Sequence, residues 1–598
     1  MMRVADYIIH FVEQLGIRYI FSIPGAGSMY LNDAVGRNKN VEHISTHHEQ
    51  ALAMAVEAYA RVKGIGFGLV TTGPGGTNAI TGLVGAWIDS TPCMFVSGQI
   101  GTNDTIMNTN LRQRGVQEVD IINLVKHVTK YAVMITDPYK IKYHLQKAVY
   151  LARNGRPGPV WLDIPLDVQR HIIEPNNLEE FIPDEKKDVL DNNVLKEKVS
   201  KCIEMLKESK RPIFWVGNGI KLAVAEEEFK QVLRKLRIPT LTTWNGADLI
   251  DETDELYIGR PGLFGQRAAN FAVQNSDLLI TLGNRLSIPQ TGYTFKAFAR
   301  AAKKVFVDID KAELEDKPFK ANLPIVSSSK DFLIELNLQL QKQNLPNIDE
   351  WINICKAWKK RYNVVLPEYL NRDDYVNSYV FIDRLSDELD SSDVIVTDMG
   401  TSFTTTFQAF KVKKGQRFFT SSGLASMGFG LPGAIGACFA NNKKRTICIT
   451  GEGSFMFNIQ ELQTVIHHNL PIKIFLFNNN VYLSIKSMQD NNFEGLHVGS
   501  DEKSGLSFPD MIKVAEAFGF ETEKIRNHSE LYKIKSVLSG GRPMFCEVLL
   551  DPNEVLSPRL KTYVKKDGSL SQSPLEDMWP FLDREEFKKN MIVQPLDD

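Results

Sequence analysis

At 598 residues the chain exceeds what one hydrophobic core supports and points to three or four domains of about 100–200 residues each. Its formal net charge is −2 and its basic residues are scattered, which excludes the electrostatic footprint of a nucleic-acid binder. There is no run of about 18 apolar residues and no basic leader, and the six cysteines form neither a CxxC pair nor a metal spacing, so the expected setting is cytoplasmic, off the membrane, with reduced thiols.

An amphipathic helix over 4–15 leads into the strand "IRYIFSI", the turn "PGAG" and a helix from Glu49 to Lys63. Then come "GFGLVTTGPGG", a strand meeting a Gly-rich loop, a helix over about 77–88, and the strand "CMFVSGQ". Strands alternating with helices predict a parallel sheet covered on both faces. This first domain spans 1–172 and closes with "RPGPVWLDIPLDV". The stretch 172–190, rich in acids, Pro and Asn and without periodicity, reads as a linker. A second α/β domain over 190–342 holds "PIFWVGNGI", "DLLITLGNRL" and "KVFVDIDKAEL", with a helix over 225–236. A polar bridge over 342–372 leads to a third, over 372–550, with "DVIVTDMG", "RTICITGEG" and "IKIFLFNNN". Each of these strands ends in Gly, Asp, Glu or Asn, repeating the grammar of the first domain. Residues 551–598 read as a tail draped over the body. The predicted fold class is α/β, three doubly wound parallel sheets plus that tail.

The segment "TGEGSFMF" puts Glu452 where a strand turns into a helix predicted to run over 455–468. Such turns lie at the carboxyl ends of parallel strands, where free N–H groups favour anions. The short crossover to "FLFNNN" makes the two strands parallel neighbours facing one crevice. Mg²⁺ takes hard oxygen donors, usually one or two carboxylates plus phosphate oxygens. Glu452, the Asn479 side chain and the carbonyl of Val481 would supply oxygens, and the N–H groups of Gly453 and Ser454 would hold a diphosphate. On composition alone a plain turn stands level with this reading.

"GEGS" with "NNN" at 478–480 resembles the metal and diphosphate signature of thiamine diphosphate enzymes. "HHEQALAMAVEAYARVKG", "TTGPGGTN", "RPGPVWLDIP", "GQRAANFAVQNSDLLI", "GLASMGFGLPGAIGA" and "NIQELQTVIHHNLPIKI" resemble, in order across residues 1–570, the acetolactate synthase branch of that superfamily. The resemblance implies pyrimidine-binding, central and diphosphate-binding domains, with active sites built between subunits of a homodimer or homotetramer. It places the activating acid on Glu49, where a largely desolvated carboxylic group at the aminopyrimidine suits proton transfer. It places Pro74, Asn78 and Gln99 on the pyrimidine side, and Gly400, Thr401 and Ser402 near the diphosphate. Met427 falls on the residue that props the cofactor in its bent shape, or is ordinary core. For a flavin in the central domain the matching positions are Gly217, Gly219, Arg285 and Asp308, which a vestigial dinucleotide fold would also show.

The chain departs from the synthase pattern in ways that bear on substrate. Glu452 replaces Asp, and Thr401 and Ser402 replace Gln-His; oxygen donors remain, so Mg²⁺ binding is expected to survive. Around the acceptor, Val116 replaces Phe before the retained Gln117, Leu166 replaces Lys, Pro289 stands at the best match for Arg, and Met488 replaces Trp. Two cations and two aromatics are missing, and a buried acceptor carboxylate would lack its partner. The expected reaction is decarboxylation of a 2-keto acid, pyruvate first among them, and transfer of the two-carbon unit to an aldehyde or keto-sugar. A true acetolactate synthase, a simple 2-keto acid decarboxylase with His47 or His48 as proton donor, and a non-catalytic cofactor-binding homologue stand as rivals. A regulatory subunit is left open.

Overall fold

Apolar runs ending in glycine or an acid become the strands of three six-stranded sheets, all parallel. The computed structural model describes residues 1–183, 192–564 and 570–596. The first sheet runs, edge to edge, Glu42–Ser45, Tyr19–Ser22, Gly66–Val70, Cys93–Gln99, Val160–Pro165, Tyr131–Met134. The third runs Arg417–Phe419, Val394–Thr397, Thr446–Gly451, Ile472–Asn478, Met544–Leu549, Glu521–Ile525. In chain order both read second, first, third, fourth, sixth, fifth: the shared grammar is a shared topology. The strands leading to Glu452 and to Asn479 are parallel neighbours, as their short crossover predicts. The middle sheet differs. Its edge-to-edge order is Tyr257–Gly259, Thr240–Thr242, Pro212–Val216, Leu278–Leu282, Lys303–Asp308, Leu323–Val326, the doubly wound order that reverses between Pro212–Val216 and Leu278–Leu282.

One core joins the first and third sheets. At its centre the helix Glu49–Lys63, stopped by Gly64 in the left-handed region (φ 89°), packs on the helix Gly430–Ala440. Their approach is backbone-close: a Cβ on Gly436 would stand 2.0 Å from the Ala55 carbonyl oxygen. Eleven of the fifteen residues of Glu49–Lys63 are buried, so this helix reads apolar nearly all round, with Arg61 and Lys63 favourably placed in its last turn.

Three expectations change. The polar bridge contains the helix Asp349–Arg361, whose Trp351, Ile352, Cys355 and Trp358 are buried against the middle sheet; these four recur at helical spacing among charged neighbours, which masked them. The helix expected over 455–468 is broken. A 3₁₀ turn, Met456–Glu461, holds Asn458 at φ −137°, where its Nδ2 donates to the Gly428 carbonyl at 2.8 Å, an amide bond that competes with helix continuity. The linker begins ordered, Ile172–Ile173 pairing antiparallel with Met2–Arg3, while its residues 184–190 lie outside the described ones. In the tail, Leu560, Leu575, Met578 and Phe587 complete the middle core, each worth about 1.5–3 kcal/mol of burial, and Glu576 pairs with Arg300 at 2.7 Å. Its residues 565–569 and 597–598 lie outside the described ones.

Candidate active site

Glu49 opens its helix at the carboxyl end of the strand Glu42–Ser45. His48 caps the helix, its Nδ1 accepting from the Gln50 N–H at 3.1 Å, and that commitment removes His48 as a free proton donor at that nitrogen. The Glu49 carboxylate is 9% exposed and accepts one bond from Asn78 Nδ2 at 3.0 Å. Asn78 ends a short helix, Pro74–Asn78, in which Pro74 occupies the first position and is exposed. The structure thus brings Glu49, Asn78 and Pro74 to one edge.

Gln99 sits differently from expectation. Its Nε2 donates to Asp163 and to the Val119 carbonyl, both at 3.1 Å, and its Oε1 accepts from Thr72 Oγ1 at 2.7 Å and the Ile100 N–H at 3.0 Å. With every polar atom engaged by protein and 1% of its surface exposed, Gln99 holds the wall up from behind instead of facing a ligand. Burial pushes Asp163 up to about 7, against the bonds it accepts from Ser97 and Gln99.

On the other side, Glu452, Gly453 and Ser454 are buried at the strand-to-helix turn. Burial pushes the Glu452 carboxyl up to about 8, opposed by backbone N–H groups of which Asn479 donates at 3.2 Å. Asn479 is 6% exposed and its Oδ1 accepts from the Val481 N–H at 3.2 Å, leaving a lone pair. Among the described residues no cluster of three or more His, Cys, Asp or Glu could hold a metal. A cation here would rest on one carboxylate, an amide oxygen and oxygens from its ligand, the donor set that Mg²⁺ tolerates. Gly453 has a steric reason: a Cβ would stand 2.2 Å from the Tyr482 ring.

The "DMG" turn and the "MGFG" turn converge on the same place through a residue the sequence did not flag. Asp398, fully buried, accepts from the N–H groups of Met399 (2.9 Å), Gly428 (3.0 Å) and Gly430 (2.8 Å) and from Thr450 Oγ1 (3.2 Å). One carboxylate therefore fixes the turn before Gly400, the turn carrying Met427 and the strand end before Glu452. Gly400, in the left-handed region at φ 80°, caps the helix Thr401–Ala409; Thr401 is half-buried at its first position, whereas Ser402 is fully buried and donates to the Met399 carbonyl at 3.0 Å. Met427 is half-buried. The two cradles are also tied within the chain: buried Glu461 accepts from the His47 N–H at 2.9 Å, two residues before Glu49.

Of the acceptor positions, Val116 is 83% and Met488 45% exposed, Leu166 is half-buried at a helix start, and Gln117 is exposed with φ 59°, its carbonyl lying 2.2 Å from where Gly73 would carry a Cβ. No cation stands at these positions. Where the strand order of the middle sheet reverses, a crevice of about 490 Å³ opens against residues 88–90 and 153–157 of the first unit and 422–423 of the third. Gly219, Arg285 and Asp308 line it, and burial pushes Asp308 up to about 6. Gly217 does not line it. Both glycines are required by packing, since Cβ atoms would stand 2.2 and 2.5 Å from Gly283 atoms, so they do not by themselves indicate a flavin. Arg285 donates to the Ile88 carbonyl at 2.8 Å, bridging two units.

Three family descriptions match the chain: the thiamine pyrophosphate enzyme N-terminal TPP binding domain over 2–124, the central domain over 199–336 and the C-terminal TPP binding domain over 398–548. It is 32% identical over 570 residues to a probable acetolactate synthase large subunit of Methanocaldococcus jannaschii, covering 93% of each chain. It is 32% identical to the acetolactate synthase large subunit of Cyanidium caldarium over 91% of this chain and 92% of that one. With the acetolactate synthase isozyme 1 large subunit of Escherichia coli it shares 30% identity over 93% of this chain and 95% of the relative. The strand-end acids, the shared topology of the outer sheets and these matches together establish that the chain belongs to the thiamine pyrophosphate enzymes, as an acetolactate synthase large-subunit-like member.

Proposed function

We propose that the protein removes CO₂ from pyruvate and transfers the two-carbon unit to an uncharged carbonyl, an aldehyde or a keto-sugar. Bound thiamine diphosphate supplies the acidic carbon and the electron sink. Glu49, shielded from water and held by Asn78, exchanges a proton with the aminopyrimidine N1′. Gly453 and Ser454 offer N–H groups to the diphosphate, Glu452 and Asn479 offer oxygens to Mg²⁺, and Asp398 holds the three turns around them. Because Glu49 and the diphosphate turn serve different subunits in the family's arrangement, the working unit is a homodimer or homotetramer. A flavin is an option for the middle crevice, with Arg156 and Lys330 as cations on its wall.

The observation that carries the acceptor reading is the set Val116, Leu166, Pro289 and Met488, uncharged throughout. A second keto acid would bring a carboxylate that none of them can pair. The test is a proton NMR time course with pyruvate, thiamine diphosphate and Mg²⁺, run with and without keto-sugars and aldehydes. Glu49→Gln is expected to slow pyruvate consumption by about 10²–10⁴-fold, the usual worth of a positioned acid or base. Efficient acetolactate formation from pyruvate alone would sink the altered-acceptor reading, and acetaldehyde as sole product would make the protein a decarboxylase.

A further inference from the structure

A second cavity, about 390 Å³, lies where the three units meet. The short helix Gly219–Leu222 separates it from the crevice: Gly219 and Ala223 face the crevice, Lys221 faces the cavity, and Leu222 touches both. Val224, 70% exposed, lies at its rim.

Every charged side chain on this cavity's wall is a cation. Arg61 and Arg153 come from the first unit, Lys221 from the middle one and Arg417 from the third. The carboxylates that fix three of them stand behind the wall. Asp248, its side chain fully buried, pairs with both Lys221 and Arg417, the latter at 2.9 Å; Glu57 and Asp89 each hold Arg61 at 2.6 Å. Arg153 has no hydrogen bond or ion pair among the described residues. The side chains of Arg61 and Lys221 are 4% and 8% exposed, whereas Arg153 is exposed and faces no acid, so its positive charge is the one left unbalanced. Burial pulls Arg417 down to about 10 and Lys221 well below the usual lysine range, which disfavours their charged forms; an anion seated between them would favour the charged forms again. Thr91 is 2% exposed on the same wall; its Oγ1 is covered, so it takes no part in what the cavity offers a ligand.

We propose that this cavity binds a small phosphate-bearing anion, gripped by Arg61, Arg153, Lys221 and Arg417. Guanidinium forks match phosphate oxygens in pairs, and acids behind the wall pre-set two of the three arginines, so little ordering remains to be done on binding. The cavity exceeds a bare phosphate, and pockets of this size hold small organic ligands. Its walls come from all three units, so the occupant ties them together and raises the temperature at which they separate.

The test uses enzyme saturated with thiamine diphosphate and Mg²⁺, so that the diphosphate cradle is filled, and inorganic phosphate as probe against chloride at matched ionic strength. Calorimetry is expected to show saturable binding in the millimolar range or tighter, with a rise in Tm. Val224→Asp puts an acid at an exposed rim of this cavity alone, and Arg153→Ala removes an unpaired side chain that lines both cavities, so neither disturbs the fold; each is expected to weaken binding by about tenfold or more, and Val224→Asp is the one that assigns the site. Lys330→Ala, whose native side chain lines only the neighbouring crevice and meets the rim through a bond to the Val224 carbonyl at 3.3 Å, changes the affinity by less than about twofold. Absence of saturable binding overturns the proposal, as does binding indifferent to Val224→Asp or abolished by Lys330→Ala.

Discussion

The first and third sheets have the same strand order and opposite ways of finishing their strand ends. In the first, side chains bond side chains: Asp163 accepts from Ser97 at 2.6 Å and Gln99 at 3.1 Å, Trp161 Nε1 donates to Ser97 at 2.8 Å, and Thr72 donates to Gln99 at 2.7 Å. In the third, one carboxylate gathers backbone: Asp398 accepts from three main-chain N–H groups, two of them on glycines. A side-chain network makes a stiff wall of fixed shape, suited to a flat ring approached by a single acid. Binding the turns by their backbone leaves other amides and oxygens free and lets chain pass close to an anion. The topology is common to both; what each strand end can bind depends on which atoms its anchoring carboxylate uses up.

The sharpest way to break this contrast is Asp398→Asn. One side of the carboxylate accepts from Met399 and Gly428 and the other from Gly430 and Thr450, so the amide keeps one pair and turns an N–H₂ on the other. A hydrogen bond to a charged group is worth about 1.5–3 kcal/mol, so thiamine diphosphate affinity is expected to fall by roughly 10–100-fold. Product distribution from the surviving turnover stays as in the native enzyme, because Asp398 touches no substrate position. Unchanged cofactor affinity would show that the turns hold themselves.

Gly453→Ala probes the close approach directly. The new Cβ meets the Tyr482 ring, and overpacking of that kind costs about 1–3 kcal/mol. Cofactor binding is expected to weaken by up to the corresponding factor, and adding Tyr482→Ala restores it by removing the obstacle. Failure of that second change to rescue would mean the Gly453 backbone, not the ring, sets the requirement.

Much of this was legible beforehand, for a physical reason. Apolar runs of strand length closed by Gly, Asp or Asn mark strand ends directly, and the "TICITGEG" and "IKIFLFNNN" strands pair as read. What stayed hidden depends on distant backbone. Asp398 lay inside a quoted motif, yet its partners Gly428 and Gly430 come thirty and more residues later. The break at Asn458 needs the Gly428 carbonyl, and the inward turn of Gln99 needs Asp163. Periodicity along a chain carries no sign of either. Nor could it show that Arg61, Arg153, Lys221 and Arg417 share a wall, since each belongs to a different element.

The smallest effect expected tests the side-chain half of the contrast by pH. Asp163 is raised from 3.8 to about 7 by burial. For an acid with a raised folded pKa, the native state holds its proton more tightly than the unfolded chain does. Ionisation therefore opposes folding, and stability falls as pH rises from about 4 towards 7, with a limiting slope of about 1.4 kcal/mol per pH unit from this group. Asp163→Asn cannot ionise. Whatever its absolute stability, its apparent Tm is expected to decline less than that of the native protein between these pH values. Parallel Tm curves would mean that Ser97 and Gln99 compensate the buried charge fully. The first sheet's wall would then carry a permanent carboxylate, and the two outer sheets would differ only in which donors their acids use.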